Sequence, residues 1–172
     1  MQQTLSPPST TQFRETASGS HFVQPAEPAP VDGNVGPSDA PSSAGFTALL
    51  AAFRATGGTA RGDDVARLLE DHGLATFVGL ARLIAASEVF GFQWRATLWI
   101  PMFQFDMRDL SVRPSAGLVL AELGHGLDDW ARAAWFARPN AWLQNRPPVD
   151  LIETQLDQVL SAARTDRFIA NG

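Results

Sequence analysis

Histidines are the side chains best suited to proton transfer near neutral pH, and this 172-residue chain has three of them. His125 lies close to Asp128 and Asp129, so it could act as a general base or, with both aspartates, as a metal ligand. His72 precedes a glycine at the predicted end of a helix, where capping of the last carbonyls is the favoured role. His21 lies in a proline-rich segment. No nucleophile elbow of the Gly-x-Ser-x-Gly type and no glycine-rich phosphate loop accompanies them, so we predict no catalytic residue and no metal site.

The composition excludes several further kinds of chemistry. The chain has no cysteine, which rules out disulfides, thiolate nucleophiles, zinc–thiolate sites and iron–sulfur clusters. All 13 basic residues are arginine, so lysine Schiff bases and a phosphate-binding lysine are excluded as well. The net charge of −5 argues against strong, sequence-independent binding of nucleic acid. We therefore predict a protein that is not an enzyme and uses no cofactor.

The first 44 residues differ in composition from the rest. They hold seven of the twelve prolines together with many serines, threonines and alanines, and few large apolar side chains. Such a segment buries too little apolar surface to offset its loss of conformational entropy, so residues 1–44 are predicted to be a disordered tail. No basic start with a following apolar run indicates a signal peptide, and no stretch approaches about 18 apolar residues. We expect a cytoplasmic protein that does not enter a membrane.

Residues 45–110 combine helical spacing with one switch to alternation. Apolar side chains three and four residues apart predict helices over about 46–53, 63–72 and 76–86. Large side chains then alternate, which predicts a β-hairpin with one aromatic face: Phe90, Phe92, Trp94, Trp99, Pro101, Phe103 and Phe105. Proline donates no ladder hydrogen bond, so the second strand should lie at a sheet edge or be interrupted at Pro101.

Residues 111–172 return to helical patterns. Helices are predicted around 118–123 and 129–137, the second capped by Asp128 or Asp129. Asp150 and Glu153 have the spacing of a capping box, which predicts that the last helix begins there. The fold class is therefore mainly α (α+β): a compact helical domain with one β-hairpin, preceded by the disordered tail.

Residues 63–86 suggest one function, since two short helices joined at a glycine have the outline of a helix-turn-helix. A DNA-binding regulator of this kind would present a positive face formed by Arg61, Arg67 and Arg82. The second helix offers few polar groups, however, so a plain helical hairpin is the favoured interpretation of the pattern. The DNA-binding alternative predicts DNA as a partner, and a neutral or acidic surface around these arginines would argue against it.

A cluster of tryptophans suggests another function. Trp130, Trp135 and Trp142 occur within 13 residues, next to Pro139 and Asn140. Such rings fill the core of a small domain, but indole N–H groups beside irregular backbone also suit a rigid protein-binding surface. Composition alone leaves both alternatives open.

The cluster also carries a resemblance to a known family. The run WFARPNAWLQNRPPVDL over residues 135–151, followed by VLSAAR over 159–164, resembles the toxin-binding domain of the Xre/MbcA/ParS antitoxins. That domain has an aromatic residue, then PN-x-x-L-x-G-x-x-P, then a helix with V-x-x-A. The upstream WIPMFQFD over 99–106 is similar to a hairpin found ahead of the motif, and the resemblance extends over about 62–172.

The chain departs from the family pattern at two points. Asn145 stands at the family's glycine position, where asparagine tolerates a left-handed backbone. No evident Xre-type DNA-binding domain precedes the motif.

The resemblance implies a cognate partner and a contact region. The partner would be a toxin of the RES type, which consumes NAD, and the C-terminal region of the antitoxin would cover its active-site cleft. Carried onto this chain, the partner-binding residues are Trp135, Asn140, Trp142, Leu143, Pro147, Arg164, Arg167 and Phe168. Two arginines and an aromatic ring near a free end suit a pocket built for an anionic dinucleotide, although both arginines would equally suit the end of a helix. The sequence leaves open whether the chain forms a homo-oligomer.

Overall fold

The computed structural model describes residues 41–74 and 77–171, which fall within one compact unit. Helix α1 covers Ser43–Phe53, and the Ser42 hydroxyl caps it by accepting a hydrogen bond from the Gly45 N–H at 3.0 Å. The predicted tail boundary at residue 44 thus falls inside α1. The rest of the predicted tail, together with His21, lies outside the described residues.

The predicted hairpin is present and belongs to a sheet of three antiparallel strands. These strands are β1 (Thr59–Arg61), β2 (Phe92–Trp94) and β3 (Thr97–Pro101), in the order β1-β3-β2. Arg95 and Ala96 both have left-handed φ angles, 48° and 59°, which give the tight two-residue turn between β2 and β3.

The predicted second strand is too long. It ends at Pro101, and a 3-10 turn follows over Met102–Gln104, so the expected interruption at the proline is confirmed. Phe103 lies in this turn, where the backbone has left the sheet, and its ring is still buried in the main core.

Helices α2 (Gly62–Asp71) and α3 (Phe77–Ala85) match the predicted pair. His72 ends α2 as expected, since its Nδ1 lies 2.8 Å from the Leu68 carbonyl oxygen. Apolar side chains of α2, α3, β3 and the connecting segments form a second, smaller core: Val65, Ala66, Leu69, Leu80, Val89, Ile100, Met102, Phe105 and Leu110.

The C-terminal half contains α4 (Pro114–Leu123), α5 (Asp129–Ala137) and α6 (Leu156–Asn171). Asp128 caps α5 by accepting a hydrogen bond from the Ala131 N–H at 2.7 Å, as predicted. Short 3-10 helices at Ala141–Leu143 and Pro148–Asp150 join α5 to α6.

The predicted start of the last helix is wrong. The helix begins at Leu156, six residues after Asp150, and the capping box does not form. The Glu153 carboxylate instead binds the Arg113 guanidinium at 2.6 Å and the Ser115 hydroxyl at 2.7 Å. Both carboxylate oxygens of Glu153 are therefore bound by Arg113 and Ser115 at the start of α4 and do not cap the last helix.

The main core joins α1, the sheet, α4, α5 and α6. Its aromatic centre stacks Phe90 on Phe136, with ring centroids 5.3 Å apart, and places Phe103 between Phe53 and Phe136. Because side chains from both predicted segments, 45–110 and 111–172, enter this core, the C-terminal motif is held on a rigid base. None of the helices within 41–74 and 77–171 has the length and apolar character needed to cross a bilayer.

Candidate protein-interaction surface

Asp166 of α6 binds three side chains of the tryptophan-rich segment. Its Oδ2 accepts hydrogen bonds from the Trp135 indole N–H at 2.8 Å and the Asn140 amide at 2.7 Å. Its Oδ1 accepts a third from the Trp142 indole N–H at 3.0 Å. We call these four residues the Asp166 cluster. A single carboxylate thus fixes two large rings and the irregular backbone between them.

The backbone around Asn140 places these donors. Its side-chain oxygen accepts a hydrogen bond from the Trp142 N–H at 2.9 Å, which starts the 3-10 helix, while its backbone pairs with Arg146. Gln144 and Asn145 close the turn with φ angles of 57° and 58°. The prediction that Asn145 supplies a left-handed conformation in place of glycine is confirmed.

The tryptophans differ sharply in exposure. Trp130 is buried in the main core, and Trp135 is half-buried. Trp142 is 58 % exposed although its indole N–H is hydrogen-bonded. A held but exposed tryptophan has the properties of a binding anchor, because little rotamer freedom remains to be lost on association.

A groove of about 310 Å³ runs beside Trp142. Its walls come from α5, the Pro139 turn and Asp166: Leu127, Ala131, Trp135, Arg138, Pro139, Asn140, Ala141, Trp142 and Asp166. The predicted contact residues Trp135, Asn140 and Trp142 therefore share one surface feature.

Two other predicted contact residues lie below that surface. Leu143 is 2 % exposed and belongs to the main core, so its side chain supports the segment from inside. Pro147 is half-buried at the start of the next 3-10 helix. Leu143 is therefore not part of the exposed contact surface.

The predicted C-terminal residues lie on α6, which runs on to Asn171. Arg164 and Arg167 are thus inside the helix. Arg164 binds Glu122 of α4 at 2.7 Å and 3.3 Å, and Arg167 lies 3.7 Å from the same carboxylate. The hydrogen bond from Arg164 lowers the pKa of Glu122 and raises that of Arg164. Both arginines therefore connect α6 to α4.

The last turns of α6 also carry exposed apolar side chains. Phe168 is 80 % exposed and Ile169 is 62 % exposed. Ile169 follows Asp166 by three residues, so it lies one turn further along a similar face of the helix. Phe168, two residues after Asp166, lies on a different side of the helix. Large apolar groups exposed to water are typical of a protein-binding surface.

The arginines predicted for DNA binding do not form a positive face. The stretch 61–86 carries three arginines against four acidic residues. Arg67 makes an ion pair with Asp64 at 3.0 Å, while Arg61 precedes two aspartates in the first turn of α2. Arg82 lies on the separate helix α3. DNA binding stays a prediction, with a charge distribution unfavourable for phosphate contacts.

The His125 alternatives gain no support from the geometry. His125 is exposed, Asp128 caps α5, and Asp129 binds Arg132 at 3.0 Å. Over residues 41–74 and 77–171, no three histidine, aspartate or glutamate side chains are grouped so that they could hold a metal ion.

Sequence reasoning gave Asp166 no role, although a signal was available. Half-buried indole N–H groups need acceptors, and two tryptophans close together in sequence indicate that an acceptor lies nearby. Which carboxylate serves could not be predicted, because Asp166 is 24 residues or more from each donor and reaches them only through the packing of α6.

Comparison with known families identifies a match in the same part of the chain. Residues 119–162 match a family model that describes the antitoxin Xre/MbcA/ParS C-terminal toxin-binding domain. No curated protein and no solved structure is significantly similar to the chain. The match is shorter than the predicted resemblance over 62–172 and covers about a quarter of the chain, from α4 into α6. The stretch 119–162, which includes three members of the Asp166 cluster, is therefore similar to the toxin-binding domain of the Xre/MbcA/ParS antitoxins.

Proposed function

We propose that this protein is an antitoxin that binds and neutralises a toxin through the Asp166 cluster and the exposed end of α6. The family match over 119–162 supports an antitoxin role. The observation that carries the proposal is the exposed ring of Trp142, which is held by Asp166 beside a groove within the matched stretch. Ile169, one turn beyond Asp166 on α6, extends this surface past the matched residues, and Phe168 is a second exposed apolar group at the same end of the helix.

The proposed partner is a toxin of the RES type that consumes NAD. Arg164 and Arg167 are the groups suited to its dinucleotide cleft, since guanidinium forks match phosphate oxygens. Both are now paired with Glu122, but their side chains are 58 % and 41 % exposed. Solvent-exposed ion pairs contribute little to stability, so exchanging Glu122 for an anionic cleft should be favourable enough to occur on binding.

This function requires no chemistry from the chain itself. The matched family is a toxin-binding domain and not a catalytic one. The proposal places the complex in the cytoplasm, with the toxin as the principal partner. A homo-oligomer and DNA contact through residues 63–86 are not needed for it.

The decisive experiment is co-expression of the full chain with the product of the adjacent gene. The proposal predicts that the two proteins co-purify and that the growth defect caused by the neighbour disappears. Trp142→Ala should abolish rescue, whereas Leu68→Ala, which removes an exposed apolar side chain on α2, should leave it intact. A toxic neighbour that is neither bound nor neutralised would contradict the proposal.

The RES-type identity needs its own measurement. Purified neighbour should deplete NAD, and added antitoxin should stop the depletion at a one-to-one ratio. Arg167→Glu should weaken this inhibition while leaving the thermal stability of the chain close to that of the parent. A neighbour that is toxic and neutralised but leaves NAD untouched would retain the antitoxin role and remove the RES-type partner.

A further inference from the structure

A small pocket lies beside the groove at Trp142. It has a volume of about 170 Å³, and Leu127, Trp135 and Asp166 line both this pocket and the groove, so the two are adjacent. Its other walls come from the end of α4, the loop that follows and α6: Leu123, Gly126, Arg167 and Ala170. We call it the Leu127 pocket. A partner that covers Trp142 and the groove therefore also comes next to this pocket.

The volume of the Leu127 pocket suits one side chain. Sites for small molecules have about 300–1,000 Å³, which is more space than this pocket offers. An apolar cavity of about 150 Å³ is nevertheless large enough to hold a benzene ring. A pocket of about 170 Å³ therefore has room for one phenyl ring or one branched aliphatic side chain of a partner protein.

The walls of the Leu127 pocket are mainly apolar. Leu123 is 3 % exposed and belongs to the main core, while Leu127 and Trp135 are half-buried and pack against that core. The polar group of the Trp135 side chain is its indole N–H, which already donates to Asp166 at 2.8 Å. Apolar walls lose dispersion contacts where no atoms pack against them, and an apolar side chain in the pocket would supply those contacts.

The charged groups of the Leu127 pocket do not favour a charged occupant. Asp166 and Arg167 are its two charged wall residues, and their charges cancel. The Asp166 carboxylate already accepts three hydrogen bonds within its cluster, and the Arg167 guanidinium lies 3.7 Å from Glu122. A pocket with apolar walls and no net charge favours an uncharged apolar side chain, because a charged one would lose its hydration without gaining a partner.

We propose that the toxin inserts one large apolar side chain, either aliphatic or a phenyl ring, into the Leu127 pocket next to its contact with Trp142. This inference rests on the proposed function, since the occupant belongs to the proposed toxin. It gives the toxin surface an apolar residue in addition to the dinucleotide cleft proposed for Arg164 and Arg167. The pocket thereby makes the antitoxin selective for a toxin that presents such a residue at this position.

Gly126 allows a steric test, because it is an exposed wall residue whose φ is not positive. Apart from its chain neighbours, no heavy atom of the residues that the structure describes would lie within 4 Å of a Cβ there. Gly126→Phe should therefore fold and place its ring at the pocket. In calorimetric titration of the full chain with the purified product of the adjacent gene, it should weaken binding at least about tenfold. Gly126→Ala, and Ala51→Phe at an exposed position on α1, should stay within about twofold of the parent.

Leu127→Asn tests the apolar character of the pocket with a side chain of similar shape. An amide in the wall would face the inserted apolar side chain without a hydrogen-bond partner, so binding should weaken at least about tenfold. The matched control Leu68→Asn changes an exposed leucine of α2 and should stay within about twofold of the parent. Melting temperatures of all variants, measured without the toxin, show whether each is folded at the temperature of the titration.

The outcomes separate this inference from the function on which it rests. Parent-like affinity in either Gly126→Phe or Leu127→Asn, while the parent chain binds its neighbour, would overturn the insertion of an apolar side chain and leave the antitoxin role intact. Failure of the parent chain itself to bind the neighbour would refute the proposed function and this inference together.

Discussion

The side chain of Gln104 pairs with the backbone of Phe90 as a neighbouring strand would. Its Oε1 accepts a hydrogen bond from the Phe90 N–H at 2.7 Å, and its Nε2 donates to the Phe90 carbonyl at 2.9 Å. The same Nε2 also donates to the Pro101 carbonyl at 2.9 Å. Gln104 is fully buried, so these bonds satisfy both ends of its amide inside the protein.

Gln104→Leu should therefore lower the free energy of unfolding by about 3 kcal/mol, because a buried N–H and two buried carbonyls lose their partner. Urea unfolding followed by circular dichroism measures the change. Gln93→Leu is the matched control, since Gln93 is exposed on β2 and its loss should change stability by less than about 0.5 kcal/mol. Equal effects of the two substitutions would contradict this role for Gln104.

Asp166→Ala should lower the free energy of unfolding by about 2 kcal/mol, since Trp135, Asn140 and Trp142 would lose a common acceptor. Thermal and urea unfolding provide the measurement. Asp71→Ala removes an exposed carboxylate at the end of α2 and should have no destabilising effect. A loss of stability no larger than in this control would show that the three donors find other partners.

Trp142→Ala should change stability by only about 1 kcal/mol, because the ring is largely exposed and mainly one hydrogen bond is lost. A buried tryptophan would instead cost about 3–5 kcal/mol on truncation. Trp130→Ala, at a buried position, supplies that comparison within the same chain. Similar losses for both variants would place Trp142 in the core and remove it from the proposed surface.

The ion pair between Glu122 and Arg164 should make stability depend on pH. The pKa of Glu122 is lowered in the folded state by the hydrogen bond from Arg164. Its contribution is therefore fully present above pH 4.5, the usual pKa of the group, and is lost as the pH falls through the lower folded value. Glu122→Gln should lose less stability than the parent on going from pH 7 to acid. Parallel pH profiles of melting temperature would contradict this.

Local patterns predicted the elements whose signals are local. The alternation of Phe90, Phe92 and Trp94 identifies the hairpin, and Asp128 caps α5 as its position indicates. Strand β1 was missed because it has three residues, and its partner β3 lies about forty positions away. The start of α6 was misplaced for the same reason, because Glu153 is bound by Arg113 across forty positions.

The candidate site likewise has features set by neighbouring residues and features set by contacts distant in sequence. The motif around Asn140 and the left-handed Asn145 could be predicted, since turn chemistry depends on neighbouring residues. Which of the large apolar side chains face water could not be predicted, because Trp130, Trp142 and Leu143 have similar apolar character. Contacts between elements distant in sequence decide it: Trp130 packs on Phe92 and Trp94 of β2, whereas Trp142 stays exposed beside α6.

The convergence of two indole rings on Asp166 also gives the protein an intrinsic optical probe. Two of its five tryptophans share one carboxylate, and one of them stands largely in water. Any molecule that covers Trp142 or draws Asp166 away changes the polarity around both chromophores at once. Association with a partner should therefore be visible in the emission spectrum of the unlabelled chain.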